Sequence, residues 1–131
     1  YIFLSGLFKI ARDVPSDIQR KLDEIKARRL ESQPITERTG GSTFKNPKGF
    51  KAWELIEAAG CRGMSVGGAM VSEQHCNFLV NTGNANATDL ENLGNLVQKK
   101  VQDATGIELE WEIKLLGIHK YTNLNSENVN I

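Results

Sequence analysis

Cysteine is scarce in this chain, with only Cys61 and Cys76 present. They form no CxxC pair and no cluster with histidine at metal-ligand spacing, so no metal site is expected. Two scattered cysteines fit reduced thiols in the cytoplasm better than a disulfide framework. An excess of one charge is also lacking, since 16 Lys and Arg face 16 Asp and Glu. A general nucleic-acid binder needs a basic excess, so nucleic acid is not an expected partner. No apolar run reaches the roughly 18 residues of a membrane span, so no membrane is expected either. The apolar opening YIFLSGLFKI has no preceding basic region and no small-residue cleavage site, which argues against a signal peptide. What is present is ordinary globular composition, 40% hydrophobic and 24% charged over 131 residues. That is enough for one domain with a real core.

The hydrophobic periodicity divides the chain into elements. Residues 1–10 are rich in β-branched and aromatic types and are expected to form a strand. Residues 15–31 are expected to be helical: Pro15 suits the first turn, Ser16 with Gln19 fits a capping box, and Ile18, Leu22 and Ile25 share one face. Pro34 ends that helix. A glycine-rich loop follows, then a short helix AWELIEAA with Trp53, Ile56 and Ala59 on one side. The glycines of GMSVGGAM favour a tight bend, and NFLVN at 77–81 reads as a buried strand. Thr88 with Glu91 suggests a second capping box, opening a helix to about residue 104 with a stripe of Leu90, Leu93, Val97, Val101 and Ala104. IELEWEIKLLG at 107–117 alternates strictly, as in a half-buried strand. The expected fold is α+β, a small mixed sheet with helices packed on it. The Asn-rich residues after Gly117 are expected to form a polar tail.

The stretch RTGGSTFKNPKG carries the densest chemistry. Gly40 and Gly41 permit positive φ and close backbone approach, and backbone amides so arranged meet anionic oxygens. Ser42 offers a hydroxyl, Lys45 a positive charge, and Asn46 both a donor and an acceptor. The spacing is not that of a phosphate-binding Walker loop, so composition leaves a plain surface turn and a ligand site both open. Glu108, Glu110 and Glu112 share one strand face. One of them can serve in acid–base work if it lines a cleft, and periodicity does not choose among the three. His75 and Cys76 are sequence neighbours and would point to opposite faces of a strand, so a catalytic Cys/His pair is not expected.

Taken in order, GGSTFKNP, AWELIEAAGCRGMSVGGAMVSEQHCNFLVN and LEWEIKLLG resemble the C-terminal half of the UDP-N-acetylenolpyruvoylglucosamine reductases, also called UDP-N-acetylmuramate dehydrogenases. The resemblance runs over about residues 1–117. It implies an FAD-dependent enzyme that takes hydride from NADPH and reduces UDP-N-acetylglucosamine enolpyruvate to UDP-N-acetylmuramate for peptidoglycan. It places the proton-donating serine at Ser42, the catalytic glutamate at Glu112 and a nucleotide contact at Asn46, while Gly41 and Lys45 are expected substrate contacts from the chemistry of the loop. Proline is frequent in the family where this chain has Trp111.

The family's FAD-binding half and its active-site arginine precede this region. The resemblance therefore implies residues 1–12 as a boundary strand, 13–117 as the substrate-binding domain and 118–131 as the tail. It also implies that the chain's own N-terminal FAD domain is a partner. No cofactor-binding residue is expected on this chain, and the chain alone is expected to be inactive. The competing expectations are a non-catalytic sugar-nucleotide-binding module and a ligand-free α+β interaction domain.

Overall fold

A computed structural model describes residues 2–117; the expected tail at 118–131 lies outside the described residues. Helix α1 spans Pro15–Ser32, strand β1 Thr39–Ser42, helix α2 Ala52–Ala58, strand β2 Ser65–Val66, strand β3 Ala69–Val71, strand β4 Phe78–Asn81 and helix α3 Ala87–Thr105. The four strands form one sheet in the order β1-β4-β3-β2. The α+β class is as expected, but every pairing is antiparallel rather than mixed.

The core lies between the sheet, α2 and α3. Leu93, Val97 and Val101 of α3 are fully buried against Val66, Ala69, Val71 and Leu79, and α2 adds Ala52, Leu55 and Ile56. These α3 positions repeat at four-residue spacing, which keeps them on one helix face. The other end of the expected stripe, Ala104, is exposed. In α2 the buried set is not the expected one. Trp53 remains 38% exposed and tilts toward His75 instead, with ring centroids 6.2 Å apart.

Neither expected capping box forms as expected. The box of α3 is Asn86–Asp89: the Asn86 side chain accepts from Asp89 N at 2.9 Å, and Asp89 Oδ2 accepts from Asn86 N at 3.1 Å. Asp89 Oδ2 also accepts from Gly68 N at 3.3 Å, so the helix start is tied to the β2–β3 turn. That second tie explains why the cap sits two residues before Thr88. Helix α1 begins at Pro15 after Val14, without a side-chain cap, because Ser16 is already inside its first turn. At the other end, Gly106 caps α3 in the left-handed conformation, φ 72, where glycine carries no steric penalty.

Two expected strands do not form. Residues 2–14 contain no strand, and Ile2, Phe3, Leu4, Leu7, Phe8 and Ile10 are all more than 80% exposed. A strand needs a neighbour to bond, and this segment has none among the described residues. Residues 107–117 keep their alternating burial, with Leu109 buried and Trp111 and Ile113 half-buried, but they make only an isolated bridge, Phe44 to Trp111. Helix α1 buries no residue at all; Ile18, Leu22, Ile25 and Leu30 are 42–55% exposed. It is fastened at its end by Gln74, whose amide donates to Leu30 O and Glu31 O at 2.7 and 2.9 Å.

Candidate functional site

The loop that carries Ser42 is built from backbone geometry. β1 pairs with β4 through Thr39↔Val80 and Ser42↔Phe78, with a bulge between the two pairs. Gly41 occupies the bulge at φ +89, a conformation that L side chains avoid. Its neighbour Gly40 comes so close to Ile113 that an added Cβ would lie 3.2 Å from Cδ1. The Gly-Gly pair therefore turns the strand and lets residues 110–113 approach Ser42.

Those residues are bolted on by three backbone bonds. Lys45 N donates to Glu110 O at 2.8 Å, and Glu112 N and Ile113 N donate to Thr43 O at 2.9 and 3.5 Å. Trp111 supplies the packing. Its ring meets Phe44 with centroids 5.0 Å apart and lies directly over Gly94 of α3. In consequence Ser42 and Glu112 line one groove of about 490 Å³, together with Gly40, Ile113 and Lys114. Both side chains are on exposed residues, and neither makes a hydrogen bond or ion pair among the described residues. A second recess, of about 500 Å³, meets Gly41 and Ser42 from the side of Arg29, Gln33 and Phe78.

Three glutamates that periodicity left equivalent are thus separated. Glu112 enters the groove. Glu110 instead pairs with Lys45, which holds its carboxyl below the ordinary range. Glu108 borders a different cavity, beside Gln98 and Leu109. The structure does not bring Lys45 or Asn46 into the Ser42 groove. The Asn46 side-chain oxygen accepts from Ala52 N at 2.9 Å at the start of α2, which leaves its amide N–H groups as the outward chemistry. Lys114 was missed. It sits two residues beyond Glu112, and strict alternation put the two on one face. Among the described residues, no group of three His, Cys, Asp and Glu side chains could hold a metal ion.

His75 is a structural histidine here. Its Nδ1 accepts from Asn77 N at 3.2 Å, and its ring meets the Phe78 edge at 4.8 Å. Burial lowers its pKa below the ordinary 6.5, the Arg62 charge acts in the same direction, and its own backbone hydrogen bond opposes both. The fold thus favours neutral imidazole, and the unfolded chain takes up the proton first as pH falls. This stabilisation is complete above the unfolded value of 6.5 and is lost as pH falls through the lower folded value. We expect the melting temperature to drop from about pH 7.5 to about pH 5.5. The drop should be smaller in His75→Asn, which retains an acceptor near the Nδ1 position but does not titrate. Equal drops in the two proteins would assign the effect to another group.

Residues 33–116 match the family described as "UDP-N-acetylenolpyruvoylglucosamine reductase, C-terminal domain". The chain belongs to that family. Among its curated relatives, the UDP-N-acetylenolpyruvoylglucosamine reductase of Bradyrhizobium sp. (strain ORS 278) is 55% identical over 117 residues, covering 89% of this chain and 38% of the relative. That of Parvibaculum lavamentivorans is 55% identical over 119 residues, covering 91% and 38%. Among solved structures, the UDP-N-acetylenolpyruvylglucosamine reductase of Thermus caldophilus superposes with a TM-score of 0.63 at 39% identity, covering 79% of this chain and 37% of the other. The chain therefore spans less than two fifths of the length of these relatives. The family membership agrees with the resemblance seen in GGSTFKNP and the motifs after it.

Proposed function

We propose that this chain is the substrate-binding and proton-donating part of an FAD-dependent, NADPH-using oxidoreductase that makes UDP-N-acetylmuramate in peptidoglycan synthesis. The observation that supports it most is the shared groove of Ser42 and Glu112. Two residues 70 positions apart in the chain meet there because residues 43–45 and 110–113 are hydrogen-bonded side by side.

The groove's polar side chains are one hydroxyl, one carboxylate and one ammonium. This set suits an anionic enolpyruvyl group better than a flavin ring, so the FAD site is assigned to a part of the protein outside this chain. FAD bound there, once reduced by NADPH, would supply the hydride. The remaining work falls to residues described here. As hydride adds to one carbon of the enol ether, negative charge builds on the conjugated carboxylate. Lys114, which lines the groove, would stabilise it. Ser42 protonates the neighbouring carbon. A serine hydroxyl is a weak acid, so it must be held in reacting geometry. Glu112 orients the substrate or completes the proton relay. Lys45 and Asn46 serve the nucleotide from the outer end of the loop, with Gly41 giving close approach.

The same reading places the reaction in the cytoplasm. No helix among the described residues is long and apolar enough to cross a membrane, and both cysteines are free and buried. The chain's own FAD domain is the partner assigned to the apolar face of α1 and the segment before it, because those residues are exposed here.

The test is NADPH oxidation on adding the enolpyruvyl sugar nucleotide. The full-length protein that carries this chain should turn over, and this chain alone should neither retain FAD nor oxidise NADPH. Turnover by the isolated chain, or none by the full-length protein, would overturn the proposal.

A further inference from the structure

Ser42 is held by backbone, and that backbone is itself held by one buried amide side chain. Beyond the Ser42↔Phe78 pair, β4 has no further residues to pair with the continuing chain. Thr43 N still finds Asn77 O at 2.8 Å. Phe44, however, has no backbone partner on that side, because the chain turns away at residues 76–77. The Asn77 side chain takes the place of the missing peptide unit. Its Oδ1 accepts from Phe44 N at 3.0 Å, and its Nδ2 donates to Phe44 O at 2.8 Å. Asn77 is 5% exposed and Phe44 1%, so water does not offer either group an equal alternative.

The opposite edge of the same stretch holds the glutamate segment, with Glu112 N on Thr43 O and Lys45 N on Glu110 O. Residues 43–45 are therefore clamped between Asn77 and residues 110–112, with Ser42 immediately before the clamp. Asn77 itself is fixed from behind by His75 Nδ1.

We infer that Asn77 is a positioning residue for proton transfer: its amide clamps the Phe44 backbone and thereby sets the place of the Ser42 hydroxyl relative to Glu112. The inference rests on the proton-donor role proposed for Ser42. Asn77 does not itself line the groove, so its influence on the reaction passes through Ser42.

Asn77→Asp preserves the shape and the acceptor for Phe44 N but turns an acceptor toward Phe44 O in place of the donor. In the full-length protein we expect flavin reduction by NADPH to be unchanged. Reduction of the enolpyruvyl sugar nucleotide should slow about 10–100-fold, the scale of a misplacement near 1 Å. The solvent deuterium isotope effect on that second step should rise as proton transfer becomes limiting. The decisive comparison is Asn77→Asp placed on Ser42→Ala. Because Asn77 acts through the Ser42 hydroxyl, the second change should cost less than about 2-fold there, whereas independent effects would multiply. If Asn77→Asp does not fold, Asn77→Ser, which retains one hydroxyl for Phe44, is tested in the same way.

Wild-type substrate reduction in the Asn77 variants, or multiplicative loss with Ser42→Ala, would overturn the inference. A Ser42→Ala protein that reduces substrate normally would instead overturn the reading on which it rests.

Discussion

Ser42→Ala in the full-length protein is expected to slow substrate reduction by about 10²–10⁴-fold, the usual contribution of a positioned general acid, while NADPH still reduces the flavin at the wild-type rate. The fold gives reasons to expect so selective a defect. Ser42 enters the sheet through its backbone, paired with Phe78, and its residue is exposed. Its hydroxyl makes no hydrogen bond among the described residues, so removing it breaks no structural contact there. Stability should change by no more than about 0.5 kcal/mol, as for other surface substitutions. Rapid-mixing measurement of the two half-reactions separates the possibilities. Loss of both would mean that the substitution disturbs the flavin part. Normal substrate reduction would mean that the GGSTFKNP loop binds ligand without donating the proton.

The second large effect is expected at a residue that touches no ligand. A Cβ built on Gly94 would lie 2.0 Å from Cη2 of Trp111 and under 3 Å from two further ring atoms. Alanine is the better helix former by about 1 kcal/mol, and on an open helix face that would decide the sign. Here it does not, because an indole is rigid and is held on its other side by Phe44. Overpacking of this kind costs about 1–3 kcal/mol. Relief requires Trp111 to move, and Trp111 directly precedes Glu112. Gly94→Ala should therefore lower the melting temperature and also reduce turnover. Trp111→Leu should make room for the methyl, so the double variant should be more stable than the two single losses predict. Additive losses in thermal melts would show that the ring is not the obstacle.

The contact also accounts for a departure noticed in the sequence. Trp111 lies where the resemblance implies a frequent proline, within the segment expected to be a strand. The segment does lie alongside residues 43–45, but as an isolated bridge rather than a regular strand. The wide ring on Gly94 adds packing to the hold of the three backbone hydrogen bonds.

Several features were legible because they depend on neighbours in the chain. Three-residue and four-residue spacing gave the buried face of α3, alternation gave the burial of 107–113, and Gly106 marked a helix end. The dense motif GGSTFKNP, with the runs after it, was enough to identify the family. Local patterns were less reliable at the caps. Thr88 and Ser16 satisfy the capping-box pattern, yet Asn86 won because Asp89 also bonds Gly68, a contact 21 residues away that no local pattern contains. The apolar segment at 2–10 has the composition of a strand but no partner to pair with among the described residues. Composition does not supply that partner.

The sequence by itself determined the family, the class of fold and the residues able to donate or accept a proton, since these follow from side-chain chemistry and local periodicity. The resemblance had already singled out Glu112; only the tertiary structure decided that it lines one groove with Ser42, that Lys114 joins them while Lys45 is drawn to Glu110, and that Asn77 completes a sheet edge with its side chain. Those outcomes depend on hydrogen bonds and packing between segments far apart in the chain, and the geometry that forms them arises only when β1, β4, α3 and residues 110–113 come together.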